Sequence, residues 1–211
     1  MLMKKILFLF NLMFLEAKAQ TNTELRSKVL NALRTKTEVA EIKITHSDSD
    51  KVHLFKYSVS DLNPETLRFQ DMAGGKPVEI AEFQKMGLGA DIFAYSFFNT
   101  EFPTPFGIDK KYHITYTAVK NHNSSLSHFL VYYDKKNFYP VKVAYYNGSK
   151  KISTIEYLDY KKMKDKVWRA KVITSENHLS KKRTRIEYTK MDINSESTKP
   201  AMGSQTPVTP L

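Results

Sequence analysis

The chain has 211 residues, 41% hydrophobic and 12% aromatic, with no cysteine and a formal charge of +11. That composition excludes a disulfide-stapled scaffold and any thiolate metal site, and it supplies apolar material for one domain with a sizeable core. The positive balance suits nucleic acid, an anionic membrane surface or plain solubility. No recognition helix, zinc-finger spacing or RNP-type aromatic motif accompanies it, so no nucleic-acid partner is expected.

In chain order, residues 1–19 read as a signal peptide. Lys4 and Lys5 make a basic start, Ile6 to Leu15 is an apolar run broken by Asn11, and Ala17-Lys18-Ala19 is a cleavage site. The mature chain is expected to begin at Gln20 in the periplasm, and loss of Lys4, Lys5, Lys18 and Glu16 leaves it at +9. An apolar run of about ten residues is too short to span a bilayer, which takes roughly 20. No later segment is apolar enough, so the protein is not expected to be membrane-spanning.

Thr23 to Thr37 has Leu25, Val29, Leu30 and Leu33 at helical spacing, with Thr23 as a partial N-cap, and predicts a helix packed on a sheet. Strand-like runs follow at Val39 to His46, Val52 to Val59, Thr66 to Asp71 and Pro77 to Phe83. Asp48-Ser49-Asp50 lacks the Gly and Glu of a calcium loop, and Gly75-Lys76 lacks the first Gly and the Ser or Thr of a phosphate loop.

Met86 to Gly107 breaks the pattern. Gly87 and Gly89 open it, Pro103, Pro105 and Gly107 close it, and Phe93, Tyr95, Phe97, Phe98 and Phe102 lie between. It reads either as a crossover helix plugging a core or as a hydrophobic lid.

Alternation resumes at Lys111 to Val119 and Ser127 to Tyr133. It runs on from Phe138 to Ile193 as four antiparallel strands in a meander, with Asn147-Gly148 as the strongest hairpin signal. Val141, Val143 and Tyr145 alternate with Lys142, Ala144 and Tyr146, Trp168, Ala170 and Val172 with Arg169, Lys171 and Ile173, and Thr184, Ile186 and Tyr188 with Arg183, Arg185 and Glu187. The sheet is expected to hold eight to ten strands. The lysines fall mostly on wet strand positions, a solvated face, and the densest cluster is Lys181-Lys182-Arg183 with Arg185. Residues 195–211, rich in Pro, Ser and Thr, read as a disordered tail.

No catalytic residues are assigned. There is no H-E-x-x-H and no G-x-S-x-G, and the carboxylates form no isolated pair. His113, His122 and His128 sit in or beside one predicted hairpin, but no metal site and no cofactor is expected.

Tyr139-Pro140, Tyr145-Tyr146-Asn147-Gly148, Tyr157-Leu158-Asp159-Tyr160-Lys161-Lys162, Val167-Trp168 and Arg183-Thr184-Arg185-Ile186-Glu187 resemble, in order and spacing, the C-terminal half of the outer-membrane lipoprotein-sorting proteins, relatives of the periplasmic lipoprotein carrier LolA. The resemblance covers roughly Asp109 to Asn194. Gly89-Ala90-Asp91-Ile92-Phe93-Ala94-Tyr95 is similar to the family's G-x-D-F-x-Y segment, with one residue inserted and without the Glu-Asp that follows it there. No residue is assignable as the buried arginine of the family's carriers.

The resemblance implies an α+β fold over residues 20–194, an unclosed antiparallel β-barrel or strongly curved sheet wrapped over helices. It also implies an apolar cavity for the acyl chains of lipoproteins or lipids, and handover proteins at the inner and outer membranes. On this reading Phe93, Tyr95, Phe97, Phe98, Phe102, Tyr145, Trp168 and Ile186 line the cavity or its lid, and the protein shuttles its passenger toward the outer membrane. The alternative is a non-catalytic envelope binding or scaffolding protein with the same fold and a filled core.

Overall fold

Period-two runs pair edge to edge to satisfy their backbone N–H and C=O groups, and here that yields one sheet with an apolar face left for another layer to cover. The computed structural model describes residues 23–61, 66–79, 104–108, 110–119 and 126–194. The leader, most of the aromatic stretch 86–107, the predicted strand end near Phe83 and the tail lie outside these residues.

Helix α1 (residues 23–33) precedes the strands. They are β1 (Thr37–His46), β2 (Ser49–Ser60), β3 (Arg68–Asp71), β4 (Pro77–Val78), β5 (Thr104–Ile108), β6 (Tyr112–Ala118), β7 (His128–Asp134), β8 (Pro140–Asn147), β9 (Lys150–Lys162), β10 (Trp168–Asn177) and β11 (Arg183–Ile193). All form a single sheet in the order β4-β3-β2-β1-β11-β10-β9-β8-β7-β6-β5, every described pairing being antiparallel. The sheet is curved and does not close. A twisted open sheet of this width must curl, and register shifts that leave one extra residue in β11 (Thr189, opposite Glu41/Ile42) and in β9 (Ile152, opposite Tyr145/Tyr146) add bend.

Among the described residues the sheet has eleven strands, where eight to ten were expected. The strand missed in the sequence is β5, whose Pro105 and Gly107 read as breakers. Among the described residues it is an edge strand paired only to β6, and β4, which carries Pro77, is the opposite edge. Proline lacks the ladder N–H and is tolerated at edges and strand starts, as Pro140 is at the start of β8.

α1 lays Leu25, Val29, Ala32 and Leu33 on one face of the sheet, where they join Ala40, Ile42, Ile44, Phe55, Tyr57, Val131, Tyr133, Val143, Ile173 and Ile186 in one core. It ends at Leu33, short of the expected Thr37, because Thr37 opens β1. Wrapping over more than one helix is not seen among the described residues. The helix lies over the end of the sheet face that carries the β7–β8 turn, with Lys28 Nζ 5.2 Å from the Phe138 ring. Phe138 itself adopts φ +61°, a conformation costly for a bulky side chain. Its turn is fixed by Asp134, whose Oδ1 accepts from the backbone N–H groups of Lys136 and Asn137 at 3.1 and 2.7 Å.

The Asn147-Gly148 hairpin forms as expected. Asn147 pairs with Lys150, so the two-residue loop is Gly148-Ser149, with Gly148 at φ +56° in the first central position. β11 keeps its alternation, with Thr184, Ile186 and Tyr188 buried between exposed arginines. β10 does not. Pairing with β9 is interrupted between Ala170↔Tyr160 and Val172↔Leu158, opposite Asp159 at φ +53°, and Arg169, Ala170, Val172 and Ile173 are all buried. The expected alternation of Trp168, Ala170 and Val172 with Arg169, Lys171 and Ile173 is thereby corrected.

Candidate functional site

The helix side of the sheet changes character along the strands. At its middle it is apolar and closely packed: Ile44, Ile173 and Ile186 are neighbours on β1, β10 and β11, each at most 1% exposed. Two residues further along the same strands the side chains turn polar. His46 faces Thr184, Ser175 pairs with Thr184, and His53 follows Phe55. These groups, with Asp48, Ser49, Asn177, Ser180, Lys182 and Arg183 from the β1–β2 and β10–β11 turns, line a cavity of about 340 Å³. The cavity sits at the end of the helix-side face opposite the β7–β8 turn. Its size lies in the range of about 300–1,000 Å³ found for small-molecule sites.

Its chemistry is that of a mouth. His46 Nδ1 lies 3.0 Å from Thr184 Oγ1, and its ring meets that of His53 edge-on at 6.0 Å. Burial, with His53 close by, holds the His46 imidazole below its ordinary value of 6.5. Lys182 is tied to Asp48 at 2.7 Å and Arg183 to Glu176 at 3.2 Å. Most of the basic cluster singled out in the sequence is therefore neutralised by carboxylates, Arg185 by Glu187 at 2.8 Å. Among the described residues no three His, Asp or Glu side chains converge as a metal site would need. His122 lies outside them.

Of the residues assigned to a cavity or lid, Phe93, Tyr95, Phe97, Phe98 and Phe102 lie outside the described residues. The other three are not brought to one spot. Tyr145 is half-buried on the helix side, its ring 5.6 Å from Phe129 on the neighbouring strand. Ile186 is in the core beneath the mouth. Trp168 is at the opposite end, half-buried in a stack with Tyr139 and Tyr160, whose rings lie 3.7 Å apart.

The structure also reveals a buried charged cluster. Arg169 is 2% exposed; its Nε donates to Glu38 Oε2 at 2.6 Å and its Nη2 to Thr35 Oγ1 at 3.2 Å. The other oxygen of Glu38 accepts from the Tyr57 hydroxyl, which lies 3.4 Å from that of Tyr188. Burial first, then the Glu38 charge, pushes the Tyr57 hydroxyl well above its ordinary value. The cluster joins β2, β1, β11 and β10 to the exit of α1. It closes the end of the fold away from the mouth.

Comparison with solved structures places this architecture. An outer membrane lipoprotein-sorting protein domain from Vibrio parahaemolyticus is similar over 84% of this chain and 94% of its own, at 16% identity and a TM-score of 0.52. A LolA superfamily protein from Nitrosomonas europaea is similar over 84% and 94%, at 14% identity and TM-score 0.54. A DUF1329 family protein from Desulfovibrio piger is similar over 85% and 94%, at 12% and 0.61. A family model described as that of an uncharacterized protein matches residues 101–200. No curated protein matches the sequence. The chain has the fold of the LolA-like lipoprotein-sorting structures, and the resemblance read from its sequence holds in three dimensions. Among the described residues no helix is long and apolar enough to cross a membrane.

Proposed function

We propose that the protein is a non-catalytic periplasmic carrier that takes acyl chains of lipoproteins or lipids into the helix side of its half-barrel and shuttles them toward the outer membrane, between handover proteins at the two membranes. The observation that carries this reading is the gradient along one sheet face, apolar at Ile44, Ile173 and Ile186 and polar at the His46–His53–Thr184 mouth. An amphiphile presents the same gradient. Each buried CH₂ is worth about 0.8 kcal/mol, so one long acyl chain represents on the order of 12 kcal/mol that a carrier must shield from water. The LolA-like fold supports the reading, as does the leader ending at Ala19. Phe93, Tyr95, Phe97, Phe98 and Phe102 supply the cover. A second reading has its own support: the closely packed centre of the core favours a scaffolding protein whose half-barrel is filled by its own side chains.

Displacement of a fluorescent fatty-acid probe, paired with denaturant unfolding, separates the two. The parent protein is expected to bind the probe. Phe97→Ala and Phe98→Ala are expected to weaken binding while costing less than the about 3–5 kcal/mol of a fully buried Phe, because a cover is packed on one side only. Full destabilisation with no probe binding by the parent would replace the carrier by the filled-core scaffold.

A further inference from the structure

At the mouth rim, Asp48 and Glu176 engage Lys182, Arg183 and His178, and Lys150, Lys151 and Lys181 lie exposed beside them. The opposite rim is built from the β5–β6, β7–β8 and β9–β10 turns, which an antiparallel meander places side by side. Lys110, Lys135, Lys136, Lys161, Lys164 and Lys166 project there, all exposed, and none pairs with a described carboxylate. The described acids of the β7–β8 and β9–β10 turns are engaged elsewhere. Asp134 Oδ1 accepts backbone N–H groups of its own turn, and Asp165 Oδ2 accepts from Asn194 Nδ2 at 2.7 Å. Lys135 N donates to Lys111 O at 3.1 Å, so neighbouring turns touch. At about 4.8 Å per strand the three turns span roughly 24 Å, with adjacent turns about one Debye length apart at 0.1 M salt.

Aromatics share this rim. Tyr139, Tyr160 and Trp168 are stacked and half-buried, and Lys162 Nζ lies 5.8 Å from the Trp168 ring centre. Tyr and Trp with an apolar body and a wet edge, ringed by long lysines, are the side chains that settle at a bilayer interface.

We propose that this rim is a docking surface for the anionic headgroup layer of a lipid bilayer. Charge complementarity selects an anionic partner. The six cations are lysines, mobile point charges that suit a fluid layer of phosphates; fixed recognition of carboxylates on an acidic protein favours the planar fork of arginine. The docked pose turns the mouth away from the bilayer, so a passenger leaves to a second protein and not directly into the lipid. Neither the lysines nor the aromatics of this rim depend on whether the half-barrel holds an acyl chain.

The test uses vesicles of phosphatidylglycerol and phosphatidylethanolamine, with co-sedimentation and the emission of Trp168, the sole tryptophan of the chain, as readouts. The parent binds, its emission shifts to the blue, and binding weakens with salt. Lys135→Gln/Lys136→Gln/Lys164→Gln loses about one hundred-fold in apparent affinity, at about five-fold per lysine. The matched variant Lys150→Gln/Lys151→Gln/Lys181→Gln, with the same charge loss at the mouth rim, changes binding by less than about five-fold. Equal losses in the two variants, or no binding by the parent at low salt, overturn the proposal. So does tighter binding to polyglutamate than to the vesicles, which assigns the rim to an acidic protein.

Discussion

Replacing Arg169 by methionine lowers the unfolding free energy by about 3–5 kcal/mol, because it strands the Glu38 carboxylate in the core without its cation. Glu38 is 1% exposed and Arg169 2%, so water cannot take the place of the lost partner. The Tyr57 hydroxyl satisfies one oxygen of Glu38 but brings no charge. Removing both charges behaves differently. In Arg169→Met/Glu38→Leu no buried ion remains, and most of the loss is recovered even though Tyr57 and Thr35 each lose a partner. A double-mutant cycle by denaturant unfolding reads the coupling directly. A loss below about 1 kcal/mol for Arg169→Met would mean that the pair is hydrated and that the closed end of the fold is not held by it.

Leu33→Ala costs about 2–5 kcal/mol. Leu33 has no exposed surface and anchors the last turn of α1 in the core, two residues before Thr35 receives Arg169. Truncation leaves a cavity between helix and sheet that the sheet cannot collapse to fill, because the ladders of β1 with β2 and β11 fix the floor. The result bears on function. If α1 were a detachable cover, stability would fall by much less and probe binding would change more. A full stability loss with the probe affinity retained identifies α1 as permanent floor, leaving the cover to the aromatic stretch 86–107.

Most of the architecture was legible because one-sided burial writes a period of two into the sequence. β11 shows it in Thr184, Ile186 and Tyr188, and the Asn147-Gly148 hairpin supplied the register signal. What escaped was set by tertiary context. β5 looked like a breaker because proline is judged by its missing N–H, and only the sheet order shows that it lies on an edge. The break in alternation at Arg169 and Ala170 escaped because the irregularity opposite Asp159 lies in backbone geometry, not composition. Glu38, the partner of Arg169, gave no signal either, since the two are 131 positions apart. The mouth was hidden for the same reason: His46, His53, Ser175 and Thr184 are ordinary residues on four strands and converge only through register. A polar residue ending an otherwise dry strand face, as His46 ends Ala40, Ile42 and Ile44, was the one available hint.

Native mass spectrometry of the protein purified from the envelope of its own host tests the carrier reading most directly. The account predicts a chain beginning at Gln20 that carries an additional acyl-lipid mass, released on collisional activation. A full-length chain beginning at Met1, or a mature chain that is bare after gentle purification and stays bare when offered lipid, would contradict it.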